Sequence, residues 1–295
     1  MQQYVKHRKL TLLILLAPAF LFFIVFVFLT AFANIVISFS NWKGVGSIPF
    51  NGMANWEKLL GDKDYWLSFR NTTIIFIGIF CVMIPLAFFV STILSKKMRG
   101  MEFFKFVFFS PIVISSVMIG LVWNFILDPS NGLLNSVLHK IGLEFLAQEW
   151  IGGRILSPFS MAFICIWQWM GINTVIFLTG IKAIPSSIYE TATIDGAKDA
   201  QIALRITLPL IKESLVSSAI LNIAGVFKVY DLVVSLTSGG PGYSSCTLAT
   251  YMMIKMFDAG LYGYGATIAT SILIITSVLS ILLYVFNKKS ETYQL

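Results

Sequence analysis

Long apolar runs, separated by short polar segments, dominate the hydrophobic pattern of this chain. Five of them contain no charged residue, and each is long enough to cross a bilayer as a helix, which takes about 20 residues. These runs are 10–42, 71–95, 106–127, 155–181 and 259–287. A sixth apolar segment, about 210–234, carries Lys228 and Asp231 near its end. The pattern therefore predicts an all-α integral membrane protein with six transmembrane helices.

Composition and charge agree with this prediction and give it an orientation. The chain is 57% hydrophobic and 12% charged, whereas about a quarter of the residues in a soluble domain are charged. Thirteen of the 21 Lys and Arg residues fall in the two tails and in segments 96–105 and 182–213, which lie on one side of a six-span bundle. Because cytoplasmic loops carry the basic excess, we expect both termini in the cytoplasm. The first apolar run exceeds a signal-peptide core, so we expect it to be a retained span.

Motifs for chemistry on covalent bonds are missing from the sequence. It contains no phosphate-binding loop, no nucleophile elbow and no zinc-protease motif. Its three cysteines are far apart and have no metal-ligand spacing, which favours small apolar core residues. The net charge of +7 is not gathered into a basic tract, which argues against nucleic acid as a partner. We therefore expect no catalytic residue, no metal and no cofactor.

One polar segment interrupts the apolar chain, and from residue 189 to 209 it reads "YETATIDGAKDAQIALRITLP". Ser187 and Glu190 have capping-box spacing, which predicts a helix beginning just after Pro185. The pair Asp195-Gly196 predicts a break, and Pro209 is expected at the start of the fifth span. The segment is thus predicted to form two short helices joined at a glycine elbow on the cytoplasmic side. An ordinary solvated connection is the alternative.

Polar and aromatic side chains in two spans are candidates for a substrate pathway. Lys228 and Asp231 are three residues apart, which on a helix places them on one face and close enough to pair. A position at the outer interface is an equal explanation for both residues. Aromatic faces and amide groups are side chains that bind sugars by stacking and hydrogen bonding. For each single candidate residue, packing between helices is the alternative explanation. The remaining candidates are Gln168, Trp169, Ile172 and Asn173 in the fourth span, with Phe227 and Tyr230 beside the charged pair.

Two segments on the predicted outer side have a recognisable pattern. Segment 128–154 has an apolar rhythm that predicts an amphipathic helix on the outer face. The sequence "SGGPG" at 238–242 predicts a flexible turn, either an outer gate or a plain connection.

The polar segment resembles the EAA loop of binding-protein-dependent ABC importer permeases, whose pattern is roughly EAAxxDGAxxxxxFxxIxLP. The matching positions are Glu190, Ala192, Asp195, Gly196, Ala197, Ile206, Leu208 and Pro209. Two positions depart from the pattern, because Thr191 replaces the usual Ala and Ala203 replaces the usual Phe. Further stretches resemble the carbohydrate-uptake branch of this family, namely "NWEKLLGDKDYWLSFRNT", "FFKFVFFSP", "NGLLN" and "LTSGGPGYSSCTLATYMMIKMF".

The resemblance implies a type I ABC importer fold and a division of the chain. Residues 1–65 would hold the N-terminal tail, the first span and an outer loop. Residues 66–287 would form the five-helix ABC type-1 transmembrane domain with its coupling loop at about 186–209, and 288–295 a cytoplasmic tail. It also implies that Glu190, Ala192, Asp195, Gly196 and Ala197 form the joint to a cytosolic ATPase, with Glu190 pairing to a basic residue there.

The resemblance further implies a function and its partners. The chain would be one permease subunit of a sugar importer in a bacterial or archaeal cytoplasmic membrane. It would work with a second permease, a dimeric cytosolic ATPase and an extracellular solute-binding protein. A stand-alone secondary transporter or channel, and a scaffold without a transport role, are the other classes. No acidic residue is centred in any predicted span, which counts against the secondary transporter.

Overall fold

The computed structural model of the chain describes residues 15–96 and 100–292. Within those ranges the regular structure is helical, apart from one isolated β-bridge between Ser40 and Phe50. We number the helices α1 (Leu15–Ser38), α2 (Ala54–Gly61), α3 (Lys63–Leu94), α4 (Met101–Val113), α5 (Ser116–Leu127), α6 (Leu133–Lys140), α7 (Leu156–Ala183), α8 (Ser186–Ile194), α9 (Asp199–Leu210), α10 (Lys212–Val226), α11 (Asp231–Thr237), α12 (Leu248–Met253) and α13 (Tyr262–Thr292).

Among the described residues, four helices are long and apolar enough to cross a membrane, namely α1, α3, α7 and α13. Two further pairs pass the same test only when their helices are taken together. The pair α4–α5 is bent by 100° and the pair α9–α10 by 72°. The structure therefore offers four to six spans, and it confirms the all-helical membrane class that the apolar pattern predicts.

The third apolar run differs from the single span expected over 106–127. Helix α4 ends at Val113, and the next two residues, Ile114 and Ser115, are extended, with ψ of 134° and 138°. Pro111 has no N–H to donate within the helix, and its ring crowds the preceding turn. The last turn of α4 is therefore destabilised, and the helix ends two residues after the proline. The uncharged run 106–127 continues through the bend and hides it, because the residues on both sides of it are apolar.

The fifth apolar segment is also shorter than expected. Helix α10 ends at Val226, four irregular residues follow, and α11 begins at Asp231. Pro209 does not start this span as predicted, because it lies inside α9, before the bend at Ile211. Helix α11 packs against α5 at Gly120, where an added Cβ would overlap the Ser235 hydroxyl.

The residues fall into two compact units. The first contains the described residues up to Asp62 together with Met252–Leu273. Hydrogen bonds join α1 to α13 within it: Asn34 Nδ2 donates to Thr270 Oγ1 at 3.0 Å, and Thr267 Oγ1 donates to the Ser38 carbonyl at 2.9 Å. The Asn55 amide also donates to the Ser38 and Ser40 carbonyls, which holds the start of α2 against the end of α1.

The second unit, Lys63–Tyr251 with the part of α13 from Ile274, is built around α7. A buried apolar cluster joins α3, α7 and the bend between α9 and α10, and it consists of Ala87, Phe88, Phe177, Ile181 and Ile211. Glycines let other helices approach α7 closely: a Cβ at Gly171 would meet the Phe108 carbonyl, and one at Gly180 would meet Ser214. Helix α7 therefore packs against α3, α4 and α10.

Candidate functional site

The polar segment folds as two helices with a glycine elbow, as the sequence predicts. Helix α8 begins directly after Pro185 and ends at Ile194, and Gly196 has φ of +77°. The Gly196 N–H donates to the Thr193 carbonyl at 3.1 Å, and the Ala197 N–H donates to the Ala192 carbonyl at 3.0 Å. This pair of bonds is a Schellman motif, whose left-handed position favours glycine because it lacks a Cβ.

The predicted capping box at the start of α8 is wrong. The N-cap position is occupied by Pro185, and no side chain accepts a hydrogen bond from the first turn. Glu190 consequently lies beyond the first turn, with its side chain exposed. Pro185 at the N-cap has an extended backbone, with ψ of 135°, and this N-cap lies two residues before Ser187, the N-cap that the Ser187/Glu190 spacing requires.

Two side-chain contacts hold the elbow against the rest of the second unit. The Tyr189 and Thr207 hydroxyls lie 3.3 Å apart and tie α8 to α9. The Lys96 ammonium, just after α3, lies 2.7 Å from the Asp199 carboxylate at the start of α9. Within α9 the backbone takes a π-helical turn over Ile202–Thr207. The two helices of the elbow are thus attached both to each other and to the end of a membrane helix.

The predicted coupling residues divide into exposed and packed positions. Glu190, Asp195 and Gly196 are exposed, Ala197 is half-buried, and Ala192 is buried. Glu190 makes no ion pair within 4.0 Å among the residues described. The sequence reasoning missed Ile194, which is 85% exposed at the tip of α8. The sequence does mark Ile194, because it is an apolar residue directly before the predicted break at Asp195-Gly196.

A second candidate site is a small cavity of about 190 Å³ beside the end of α10. Five predicted substrate-pathway residues line it, namely Gln168, Trp169, Lys228, Tyr230 and Asp231. Ser116, at the start of α5, also lines it and accepts a 3.1 Å hydrogen bond from Gln168 Nε2. The cavity therefore combines an aromatic face, an amide, hydroxyl groups and one charge of each sign.

Lys228 and Asp231 line this cavity without sharing a helical face, so that part of the prediction is wrong. Lys228 lies in the irregular stretch after α10, whereas Asp231 begins α11. Both are exposed, and among the residues described neither makes an ion pair within 4.0 Å. Asp231 also lies where a carboxylate stabilises the positive end of its own helix.

The other three predicted residues lie away from the cavity. Phe227 is buried against the Phe76 ring, with the ring centroids 6.3 Å apart. Ile172 is 46% exposed and does not line the cavity. Asn173 is buried one turn beyond Trp169, and its Oδ1 accepts from Asn222 Nδ2 at 2.7 Å and from the Ser218 hydroxyl. Asn173 is therefore placed to join α7 to α10, as the packing alternative proposed.

The irregular stretch that carries Lys228 is held from behind by the loop after α11. The Thr247 hydroxyl donates to the Val229 carbonyl at 2.6 Å. The Asn71 amide in α3 donates to the Ser244 and Cys246 carbonyls at 2.9 and 3.0 Å. Residues 244–247 are buried, so the loop directly after "SGGPG" is anchored, whereas Ser238, Pro241 and Gly242 within the predicted turn are exposed. Trp169 closes the opposite wall, with its ring 3.3 Å from where a Cβ at Gly225 would lie.

The chain matches a known family over most of its length. Residues 84–291 match the family described as the binding-protein-dependent transport system inner membrane component. The chain belongs to this family. Membership confirms the resemblance drawn from the coupling loop, and it confirms that the chain is a membrane transport subunit and not an enzyme, because permeases of this family leave ATP hydrolysis to a separate subunit.

Similar proteins and structures agree with this assignment. The probable ABC transporter permease protein YurN of Bacillus subtilis is 33% identical, covering 97% of this chain and 99% of its own. The diacetylchitobiose uptake system permease protein NgcF of Streptomyces coelicolor is 27% identical, covering 96% and 85%.

Two crystal structures of a bacterial alginate ABC transporter share the fold of this permease. One has a TM-score of 0.84 at 18% identity, covering 98% of this chain and 99% of that chain. The other, in complex with an alginate pentasaccharide-bound periplasmic protein, has a TM-score of 0.77 at 20% identity, covering 97% and 95%.

Proposed function

We propose that this permease is one subunit of an ATP-driven importer of oligosaccharides or of related sugars, polyols or sugar phosphates. It forms half of the translocation pathway and couples it to a cytosolic ATPase. The observation that carries the proposal is the family match over 84–291, which includes the whole glycine elbow. The substrate class is supported by the uptake of diacetylchitobiose named for NgcF and by the alginate transporter structures.

The proposed topology has six spans in a type I importer arrangement with both termini in the cytoplasm. It counts each bent helix pair as one span, and the basic excess supports the orientation. The division into 1–65, 66–287 and 288–295 belongs to this proposal; residues 1–14 and 293–295 lie outside the described part of the chain. The host membrane is a bacterial or archaeal cytoplasmic membrane, which is supported by the two bacterial relatives and by a 32% identical probable ABC transporter permease protein of Pyrococcus horikoshii.

Coupling is assigned to the outward face of α8 and its elbow. The coupling set comprises Glu190, Asp195, Gly196 and Ala197 at this face, with Ala192 buried behind them. Glu190 presents an exposed carboxylate to a basic residue of the ATPase, and buried Ala192 lets the helix pack closely. Ile194 adds an apolar anchor to this set, because an 85% exposed isoleucine gains free energy when a partner covers it.

The cavity beside α10 is the proposed substrate contact within the pathway. Trp169 and Tyr230 supply aromatic faces for sugar rings, and Gln168 with Asp231 supplies hydrogen-bonding groups. Its volume of about 190 Å³ is below the roughly 300–1,000 Å³ of whole ligand pockets, which fits one wall of a site shared with a second subunit. Phe227, Ile172 and Asn173 are left out of the direct contact set.

The proposed partners are a second permease subunit, a cytosolic ATPase dimer and an extracellular solute-binding protein, with membrane lipid around the spans. The periplasmic protein in one alginate transporter structure supports the last of the three protein partners. Nucleic acid is not among the partners.

The test is uptake by cells that lack the gene and carry plasmid copies. Wild-type chain restores oligosaccharide uptake, and Glu190→Ala inserts into the membrane at the same level without restoring it. Uptake by Glu190→Ala at the wild-type rate would contradict the coupling role of the loop.

A further inference from the structure

Two neighbouring cavities in the second unit have no role in the proposed transport cycle. The larger, about 710 Å³, lies among the end of α3, the end of α7 and the elbow helices α8 and α9. The other, about 490 Å³, is a groove along α3, α10 and α13. Phe89 and Leu204 line both, so the cavities adjoin. Each volume falls within the roughly 300–1,000 Å³ that ligand pockets occupy.

The larger cavity has a mixed lining, apolar in most of its area with a group of polar and charged side chains, whereas the lining of the groove is apolar. The larger cavity has Lys96, Lys182, Tyr189, Thr193 and Asp199 in its lining. The groove is lined by apolar side chains, including Phe80, Ile84, Phe88, Leu215 and Leu283. A ligand that fills both must therefore have a polar head and a long apolar tail.

The charge in the larger cavity favours an anionic head. Lys96 is neutralised by Asp199 at 2.7 Å, whereas Lys182 makes no ion pair within 4.0 Å among the described residues. Glu102 is close enough to feel the charge of Lys182, but its own short contact is with Lys105. The charged residues of the lining, Lys96, Lys182 and Asp199, thus carry a net charge of +1, for which an apolar helix of a second permease would supply no partner.

We propose that these cavities together bind one anionic phospholipid. Its phosphate lies at Lys182, and an acyl chain follows the groove from Phe89 towards Phe80. Basic pockets between spans on the cytoplasmic side are favourable places for anionic head groups. The lipid would fill the space between α3 and the elbow, next to the joint that receives the ATPase. The assignment of the lipid to the cytoplasmic leaflet and its place beside the ATPase joint rest on the proposed function.

Ala203 provides a way to close the site without removing charge. It lines the larger cavity and packs against the buried cluster around Phe177. The coupling-loop pattern that the chain resembles has Phe at this position, so Ala203→Phe introduces a residue suited to the loop. Its ring would occupy part of the space left open by the alanine and exclude the lipid.

The test is native mass spectrometry of the assembled transporter with added phosphatidylglycerol or phosphatidylcholine. Phosphatidylglycerol should bind at least about fivefold more tightly, and Lys182→Gln should remove this difference, since one basic residue contributes about 1 kcal/mol near an anionic head group. Ala203→Phe should reduce the binding of both lipids. Lys140→Gln, an exposed lysine on α6, is the matched control and should change nothing.

Equal binding of the two lipids, or an unchanged preference in Lys182→Gln, would overturn the proposal. Full competition by free glycerol phosphate would overturn it as well, because the site would then be one for soluble phosphates. Loss of the bound lipid when the isolated chain assembles with its partner would do the same, because it would assign the groove to the second permease. Uptake measured on the same preparation tests the transport function separately, so failure of one proposal is distinguishable from failure of the other.

Discussion

Replacing Gly196 isolates the contribution of the elbow, because its surroundings are empty. No atom lies within 4 Å of where a Cβ would be, so Gly196→Ala introduces no clash and only the cost of φ at +77° remains. That cost is roughly 1–2 kcal/mol for alanine, and smaller for asparagine, which tolerates left-handed backbone. Proline fixes φ near −65° and also removes the N–H that donates to the Thr193 carbonyl.

An energy of 1–2 kcal/mol lowers the population of the elbow by about 5–30-fold relative to competing conformations. We expect sugar transported per ATP hydrolysed to follow the order wild type, Gly196→Asn, Gly196→Ala and Gly196→Pro, with no transport in the last. The assay is uptake and ATP hydrolysis measured together in proteoliposomes containing the assembled transporter. Membrane insertion should be equal in all four proteins.

Gly142 supplies the matched control, since its φ is +76° and its Cβ position is equally empty. It lies in the loop after α6, so Gly142→Ala has the same local strain away from the elbow. Normal transport by Gly196→Pro would refute the reasoning, and so would an equal loss of coupling in Gly142→Ala.

Four further outcomes are expected from single substitutions. Glu190→Gln should abolish uptake while the protein still reaches the membrane, whereas Glu149→Gln, which changes an exposed carboxylate between α6 and α7, should transport normally; equal uptake by the two variants would contradict the role of Glu190. Asn222→Leu should lower the free energy of unfolding by about 1–2 kcal/mol in a thermal melt, since it removes an interhelical hydrogen bond. An unchanged melting temperature would show that this bond does not stabilise the fold. Trp169→Ala should raise the KM for uptake several-fold with ATPase activity retained, and an unchanged KM would remove it from the pathway. Thr247→Val should raise the same KM and destabilise the fold by about 1 kcal/mol, because the Val229 carbonyl loses its donor.

The parts of the structure predicted well from sequence are those decided by local rules. The break at Asp195-Gly196 follows from the demand for positive φ at one residue, and the apolar runs follow from the thickness of a bilayer. The start of α8 after Pro185 is local as well. The capping box fails because proline at the N-cap already fixes how the chain enters the helix.

The parts predicted poorly depend on contacts between distant residues. The bend after Val113 is invisible in the hydropathy pattern, because no charged residue interrupts the run from 106 to 127. The cavity around Trp169 forms only because α7, α5 and the irregular stretch after α10 meet there. Helical spacing predicts Asn173 beside Trp169 in the cavity. In the structure its side chain instead accepts a hydrogen bond from Asn222 and joins α7 to α10.

The most direct test of the account is reconstitution of transport from purified parts. Proteoliposomes are prepared with this chain alone, and with this chain plus its second permease, ATPase and solute-binding protein, and labelled oligosaccharide uptake is measured with and without ATP. We predict ATP-dependent uptake by the complete set and none by the chain alone. Uptake by the chain alone, without an ATPase, would contradict the account and assign it to stand-alone transporters or channels.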